Sequence, residues 1–396
     1  MLIDEARTPL ILSAGEGNDR DPAMFDLFLA RARLLRRGVD FAMSGGERRP
    51  ELRPAGRAAL AAWQDEPPPW NVPAERERLA QLALTALHAL HRDEAYLVRD
   101  GKAEIIDEFT GRILPDRSWS DGLQEMVERK EGLALSPRRD TIARMTYQRF
   151  FRRYRLLAGL SGTLGEVSAE LWRVYRLPVV ALPPHRPDRK TWLPVRGFAT
   201  AAAKWQAIAT TVAAIHATGA PVLIGTRSVA DASRAASVLA AAGLAHVVLS
   251  ADQDAAEAEV IARAGAAGSI TVATNMAGRG TDIALHPGIA DRGGLHVVLS
   301  EPHESRRVDR QLAGRCGRQG DPGQVLRFVS LDDALLKGHA AAPLRGLARL
   351  AGSAAICRAA THAQRRAERL HARMRRDLLR ADEWLGDATA FTGAPE

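Results

Sequence analysis

Three polar side chains in the last third of the chain have the spacing expected of a phosphate-binding helix face. Gln311, Arg315 and Arg318 lie within residues 305–320 and are separated by four and three positions. On a continuous helix, side chains at these intervals share one face. Two guanidinium groups near one point can clamp the γ-phosphate of a nucleotide and offset the charge that develops during its transfer.

A glycine-rich segment just upstream offers a partner for these arginines. Residues 272–283 run from an apolar strand into Gly278-Arg-Gly-Thr-Asp282. Glycines let the backbone approach a ligand closely, and a carboxylate there can accept a ribose hydroxyl or orient an arginine. A basic helix end held by weak surface ion pairs explains the arginines alone, but not both segments together. The candidate nucleotide-binding residues are therefore Gly278, Arg279, Gly280, Thr281 and Asp282.

The elements that must position these residues alternate regularly after residue 191. Continuous apolar runs alternate with helical patterns, which predicts a parallel sheet covered on both faces. Ligands of such sheets bind at the carboxyl ends of the strands, where residues 224 and 274 are followed by loops. The predicted strands are residues 221–226, 246–250, 270–274, 295–299 and 325–329, and the predicted helices are residues 204–218, 231–243, 255–265 and 305–314.

The regions outside this sheet have a different character. Residues 16–132 mix helical patterns with Pro- and Gly-rich loops, and Asp100-Gly101 between two apolar runs predicts a hairpin, so this block is expected to be an α+β insertion. Residues 157–163 have the composition of an apolar strand that ends in small residues. In the Arg-rich tail, a helical seam is predicted at Ile356, Ala360, Ala363, Ala367, Leu370 and Met374. This tail either packs on its own protein or offers a face to anionic lipid or nucleic acid.

The composition is that of a globular protein with an excess of basic residues. Of 396 residues, 46% are hydrophobic and 26% charged, and the formal net charge is +8. This charge favours an acidic partner such as nucleic acid, an anionic membrane or an acidic protein, although Arg-rich coding explains it equally well. Cys316 and Cys357 form no C-x-x-C, so no disulfide framework, zinc site or other metal site is predicted. No apolar run reaches the roughly 18 residues of a membrane span, and the N-terminus does not resemble a signal peptide.

The two chemical segments resemble motifs V and VI of superfamily-2 motors. Their sequences closely resemble those of the SecA preprotein-translocase ATPase family. They are Asn275-Met-Ala-Gly-Arg-Gly-Thr-Asp and His303-Glu-Ser-Arg-Arg-x-Asp-x-Gln-Leu-x-Gly-Arg-x-Gly-Arg. Further agreement with that family runs in order along the chain in Leu2-Ile-Asp-Glu-Ala-Arg-Thr, Trp119-Ser-Asp-Gly-Leu, Lys130-Glu-Gly, Leu157-Ala-Gly-x-Ser-Gly-Thr and Gly293-Gly-Leu-His-Val.

The resemblance implies a fold and a domain layout. The fold would be α/β, with a RecA-like parallel-sheet domain, an α+β preprotein-crosslinking insertion and a C-terminal helical tail. Residues 1–15 would be a remnant of nucleotide-binding domain 1, residues 16–145 the crosslinking domain, and residues 146–190 the returning part of domain 1. Residues 191–345 would be nucleotide-binding domain 2, and residues 346–396 the start of a helical scaffold.

The resemblance also implies roles for individual residues. Arg315 and Arg318 would act as arginine fingers, with Gln311 ordering the γ-phosphate region. Residues 278–282 would contact the nucleotide, and the motif of Ser161, Gly162 and Thr163 would couple the site to domain movement. The implied ligand is ATP with Mg²⁺, and the implied partners are unfolded preprotein, a SecYEG-type channel and an anionic lipid surface. The implied location is the cytoplasm, with peripheral attachment to the plasma membrane.

The sequence departs from the family's pattern in the phosphate-binding half. It contains no G-x-x-x-x-G-K-[ST], the phosphate-binding loop motif. Asp4-Glu5 corresponds to family residues that follow the Mg²⁺-binding carboxylates, and not to those carboxylates themselves. We therefore expect ATP hydrolysis by this chain alone to be no faster than background, with a further chain supplying the missing half. The alternatives are a non-hydrolysing protein- or lipid-binding module, or truncated pseudo-ATPase, and a superfamily-2 helicase. Nucleic acid is the less favoured partner because aromatic stacking groups are scarce.

Overall fold

The computed structural model describes residues 2–16, 21–44, 49–63, 72–106, 113–114, 117–249, 260–274 and 281–389. The chain forms two compact units. The first contains Met1–Ser13, Thr141–Arg227 and Asp231–Glu396, and the second contains Ala14–Asp140 with Ser228–Ala230. The five-part division expected from the sequence remains a prediction.

A parallel sheet forms the centre of the first unit. The strands are β8 (Arg189–Trp192), β9 (Arg196–Phe198), β10 (Val222–Thr226), β11 (Val247–Leu249), β12 (Ile270–Thr274), β13 (Leu295–Leu299) and β14 (Pro322–Ser330). They run in the order β11-β12-β10-β13-β14-β8, with β9 also paired to β14, and every described pair in the sheet is parallel. The parallel α/β fold predicted from the alternating pattern is thereby confirmed.

The alternation of side chains along each strand divides the core between the two faces of the sheet. In β10, Val222 and Ile224 join a cluster with Trp205, whereas Leu223 joins a second cluster with Leu312. All five residues of β10 are buried, which explains why its sequence is a continuous apolar run rather than an alternating one.

Helices cover this sheet and continue beyond it. The N-cap of α7 is Thr200, whose hydroxyl accepts a hydrogen bond from the backbone N–H of Ala203 at 3.2 Å. The helices of the first unit, including α8, which begins at the unit boundary, are α5 (Tyr147–Arg152), α6 (Ser168–Tyr175), α7 (Ala201–Ala217), α8 (Val229–Ala241), α9 (Arg306–Ala313), α10 (Ala334–His339), α11 (Ala342–Ala351) and α12 (Ser353–Thr389).

The second unit is α+β, as predicted. Its core includes Phe25, Phe28, Leu84, Tyr96 and Met126, all of which are buried. The predicted hairpin is confirmed, with Asp100 and Gly101 at φ 49° and 72° in the turn between β4 and β5. Its elements are α1 (Pro22–Ala32), β2 (Phe41–Ser44), β3 (Arg49–Leu52), α2 (Pro54–Ala61), α3 (Pro73–His88), β4 (Tyr96–Arg99), β5 (Lys102–Ile106), β6 (Ile113–Leu114) and α4 (Leu123–Lys130). A separate two-stranded sheet joins β1 (Pro9–Glu16) to β7 (Arg138–Thr146).

One predicted strand is wrong, and one predicted helix lies partly outside the described residues. Residues 157–163 contain no strand, because no described strand lies beside them to complete a ladder, and Leu160 is 95% exposed. For the predicted helix at 255–265, residues 255–259 are outside the described part of the chain, while residues 260–263 are helical.

The C-terminal helix α12 packs on its own protein through the first part of the predicted seam. Ile356, Ala360, Ala363 and Ala367 are buried in a cluster with Val329 and Leu336. Leu370 and Met374 stay 44% and 47% exposed, so the seam ends before its last two members. A search of the described residues finds no helix with the length and hydropathy needed to cross a bilayer.

Candidate functional site

The helix that carries Gln311 lies tightly against the sheet because of one glycine. Gly225 is in β10, and a Cβ at this position would collide with the side chain of Leu312 in α9. A glycine within a buried strand therefore marks the close approach of α9 to the backbone. At its start, α9 is held by Asp309, which accepts hydrogen bonds from the backbone N–H of His303 at 2.9 Å and the side-chain amide of Gln364 at 2.7 Å.

The expectation that Gln311, Arg315 and Arg318 share a face of one helix is wrong. The helix ends at Ala313, so both arginines lie in the turn that follows. This turn requires left-handed backbone at Gly317, with φ 66°, where an added Cβ would lie 3.0 Å from the Cβ of Lys190. Gly317 lies four residues beyond the last helical residue, so it shapes the turn that carries both arginines.

The two arginines nevertheless reach the segment with which the sequence paired them. Arg315 donates from Nη1 to the carbonyl oxygen of Thr281 at 3.2 Å. Arg318 donates from Nη1 to Oδ1 of Asp282 at 2.6 Å, and its Nε donates to the carbonyl oxygen of Gly314 at 2.9 Å. Arg315 is buried, whereas the side chain of Arg318 keeps 35% of its surface exposed. Gly278, Arg279 and Gly280 lie outside the described residues.

Gln311 contacts the other predicted motif. Its side-chain amide donates to the hydroxyl of Thr163 at 3.3 Å, and the hydroxyls of Thr163 and Ser161 are also 3.3 Å apart. Gly162 lies between these two residues and is exposed. A second link runs parallel to the first, since Arg310 pairs with Glu166 at 3.0 Å. The predicted residues therefore form two groups, one around Asp282 and one around Thr163.

The sequence analysis missed Arg307, which joins α9 to the N-terminal segment. The buried Arg307 forms an ion pair with the partly exposed Asp4, and burial lowers the pKa of the Arg307 guanidinium. Arg307 precedes Gln311 by four positions, and this spacing is the signal that could have identified it.

Glu304 is a second polar centre that the sequence did not indicate. It is buried just before α9, and its carboxylate lies 3.0 Å from Nη2 of Arg227 and 3.2 Å from Nε2 of His371. Arg7 approaches the same carboxylate at 3.8 Å. Because Arg7, Arg227 and His371 belong to three distant segments, Glu304 ties the N-terminal residues and α12 to the base of α9.

The cysteine within the arginine segment is not a reactive thiolate. Cys316 is buried, and this burial raises the pKa of its thiol to about 11. The thiol therefore remains protonated near neutral pH and acts as a small apolar group against the sheet.

The donors of this site suit phosphate oxygens better than a metal ion. Arg318 combines a guanidinium fork with partial exposure, so an anion could replace Asp282 as its partner. Among the described residues, no group of three or more His, Cys, Asp or Glu side chains could hold a metal ion. The described donors are cationic and therefore suit an anion such as a phosphate group.

The parallel sheet of the first unit, covered by helices, is consistent with a RecA-like α/β fold. Two family models match this chain: the SecA P-loop domain at residues 194–290 and 285–352, and the SecA preprotein cross-linking domain at residues 21–128. The chain belongs to the SecA family, as the sequence motifs indicated.

Curated relatives agree with this assignment along almost the entire chain. Protein translocase subunit SecA 2 of Bordetella avium is 49% identical over 99% of this chain and 60% of its own length. Protein translocase subunit SecA 3 of Magnetococcus marinus is 44% identical over 100% of this chain and 61% of its own length. Protein translocase subunit SecA 2 of Nitrosospira multiformis is 43% identical over 100% of this chain and 60% of its own length. The chain therefore spans about three fifths of the length of these relatives.

Proposed function

We propose that this chain is part of an ATP-driven preprotein translocase that works at the cytoplasmic face of the plasma membrane. The relatives named above are protein translocase subunits, and one of the two matching family models is a preprotein cross-linking domain. Its partners would be unfolded preprotein, a SecYEG-type channel and an anionic lipid surface. A nucleotide-binding half supplied by another chain remains part of this proposal.

In this function Arg315 and Arg318 serve as arginine fingers. The ion pair between Arg318 and Asp282 supports this role most directly. It holds the partly exposed guanidinium of Arg318 beside the glycine-rich segment of residues 278–282. Such a group stabilises the negative charge that develops on a transferring phosphoryl group. We assign residues 278–282 to nucleotide contact, and the hydrogen bond from Arg315 to the carbonyl oxygen of Thr281 keeps this second arginine finger beside that segment.

Gln311 and Thr163 would transmit the state of this site. The hydrogen bond between them joins α9 to the loop before α6, so a shift of α9 would move that loop. Ser161, Gly162 and Thr163 are thus proposed as the coupling motif.

Binding of unfolded preprotein tests the translocase assignment. We expect the purified chain to bind a labelled unfolded preprotein with its signal sequence more tightly than single-stranded RNA of similar length, measured by fluorescence anisotropy at fixed salt. Tighter binding of RNA, without binding of preprotein, would favour the helicase instead.

ATP hydrolysis tests the arginine fingers separately. For the chain alone we expect turnover at background level, and a Mg²⁺-dependent turnover abolished by Arg318→Ala would contradict this. With ATP hydrolysis restored by a chain carrying the phosphate-binding half, Arg318→Ala should lower kcat by about 10³-fold or more. Arg173→Ala, which removes an exposed arginine of α6, is the matched control and should leave kcat unchanged. Binding of preprotein without any hydrolysis in this mixture would favour the non-hydrolysing module.

A further inference from the structure

A cationic cleft lies between α10 and α11, and none of its lining residues belongs to the site described above. Its volume is about 350 Å³, and its lining includes Lys337, Arg345 and Arg349. Lys337 is in the last turn of α10, whereas the two arginines are one helical turn apart on α11. Three positive charges therefore converge on one concave surface.

No carboxylate in the described part of the chain forms an ion pair with these three cations. Asp332 also lines the cleft, but its Oδ2 accepts a hydrogen bond from the backbone N–H of Ala201 at 2.8 Å. Elsewhere in this unit arginines such as Arg307 and Arg375 have carboxylate partners. Like charges that share a cleft repel one another, so this arrangement favours an anion between them.

The start of α11 adds to the positive potential of the cleft. Ala342, its first residue, lines the cleft, and the N-cap residue Ala341 has no side-chain oxygen to bond the first turn. The partial positive charge at a helix N-terminus attracts anions, phosphate groups in particular. With ten residues, α11 is long enough for its peptide dipoles to add up. Its N-terminus therefore adds to the positive charge of the three side chains.

We propose that this cleft binds a phosphate group. Phosphate oxygens in proteins accept hydrogen bonds from guanidinium groups, ammonium groups and the backbone N–H groups of a helix N-terminus, and the cleft offers all three. It uses none of the residues assigned to nucleotide contact.

Two exposed leucines on α11 favour the headgroup of an anionic lipid as the source of this phosphate. Leu347 and Leu350 are 65% and 87% exposed on the same helix as Arg345 and Arg349, although neither lines the cleft. An exposed helix that carries leucines on one side and basic side chains on another suits the boundary between headgroups and acyl chains. The phosphate site is independent of the proposed translocase function, whereas its membrane source rests on that function.

Neutralising the cleft tests the proposal. The variant Lys337→Gln/Arg345→Gln/Arg349→Gln is compared with Arg365→Gln/Arg366→Gln/Arg369→Gln, which removes the same charge from exposed positions of α12. Binding to vesicles of phosphatidylglycerol and phosphatidylcholine is measured by sedimentation, and binding of pyrophosphate by calorimetry. We expect the cleft variant to weaken binding in at least one of these assays about tenfold or more, and the control variant to change it less than about threefold. Equal losses in both variants, or no binding of either ligand by the unaltered chain, would overturn the proposal.

A third variant identifies the source of the phosphate. Leu347→Ser/Leu350→Ser should weaken vesicle binding and leave pyrophosphate binding unchanged if the ligand is a lipid headgroup. Unchanged vesicle binding in this variant, with pyrophosphate binding that depends on the cleft, assigns the site to a soluble phosphate. Preprotein binding is measured on all variants, so a failure of the translocase assignment is distinguished from a failure of this one.

Discussion

Gln311 donates a hydrogen bond to the hydroxyl of Thr163 over 3.3 Å, although 148 positions separate the two residues in the chain. Thr163 is 5% exposed, so its hydroxyl has little access to water and depends on protein partners. The contact brings the loop of residues 161–163 to α9. Two segments that the sequence marked for separate reasons thus meet through one pair of side chains.

A double-mutant cycle measures the strength of this contact. Gln311→Ala and Thr163→Val each remove one partner, and a neutral hydrogen bond contributes about 0.5–1.5 kcal/mol to stability. We expect a coupling free energy of that size from urea unfolding of the two single variants and the double variant. Strictly additive effects would show that the hydrogen bond contributes nothing measurable.

Gly225→Ala should destabilise the first unit by about 1–3 kcal/mol, because the added methyl group collides with the side chain of Leu312, which must shift within the packed interface of α9 and the sheet. Thermal unfolding followed by circular dichroism is the measurement. Gly338→Ala is the matched control, since no atom lies within 4 Å of the Cβ that it would add in α10. A Gly225→Ala variant as stable as this control would show that Leu312 can accommodate the added methyl group without loss of packing.

The sequence predicted the sheet well because its strands are buried on both faces. The predicted strands 221–226, 270–274 and 295–299 match β10, β12 and β13 to within one residue. By contrast, β8 and β9 were missed. Their sequences, Arg189–Trp192 and Arg196–Phe198, are short and partly exposed and have no apolar periodicity, and they become strands only by pairing with β14.

The site was predictable in its residues but not in its geometry. Spacing alone suggested a helix through Arg318, whereas α9 ends at Ala313 and the following turn has left-handed backbone at Gly317 and Gly320. The long-range partners of the site residues could not be predicted from the sequence either. Nothing local to Arg307 indicates that Asp4, 303 positions away, will lie beside it. Such ion pairs depend on how distant elements pack, and they have no periodic signal of their own.

Lys204→Met should destabilise the protein by about 3–5 kcal/mol, because it leaves Asp333 buried without its cation. Lys204 and Asp333 are 2.5 Å apart, and their side chains are 4% and 1% exposed. Chemical denaturation measures the loss, and adding Asp333→Asn should restore part of it. The control is Arg152→Met in the exposed pair with Glu383, for which about 1 kcal/mol or less is expected. Equal effects at the two sites would contradict the role of burial.

His371 should make the protein less stable as the pH falls from about 6.5 to about 4. Burial, aided by the charge of Arg7, lowers the pKa of His371 in the folded state to about 4, so the unfolded chain binds the proton first. Stability contributed by the neutral imidazole is therefore present above pH 6.5 and lost through this window. In His371→Gln this part of the pH dependence of the unfolding free energy should disappear. A profile parallel to that of the unaltered protein between pH 4 and 6.5 would contradict the assignment.

Glu301 should have the opposite effect in a higher pH window. Its burial, with a further contribution from the negative charge of Asp231, raises the pKa of its carboxyl from 4.5 to about 8, despite the cation of Lys204 nearby. Between these two values the folded state keeps a proton that the unfolded state loses, so the stability that Glu301 contributes is full below pH 4.5 and falls as the pH rises towards 8. The slope from this one group is at most about 1.4 kcal/mol per pH unit.

Glu301→Gln keeps the shape of the neutral side chain and removes this titration. We expect the variant to match the unaltered protein in stability near pH 4.5 and to exceed it at pH 8, with equilibrium urea unfolding as the measurement. His371→Gln is the control, because its effect belongs to the window below pH 6.5 and carries the other sign. If Glu301→Gln were instead less stable than the unaltered protein at pH 8, the carboxylate would be charged in the folded state and stabilised by Lys204 and Arg227. The direction of the difference at pH 8 therefore decides between a neutral buried acid and a member of a buried ion network.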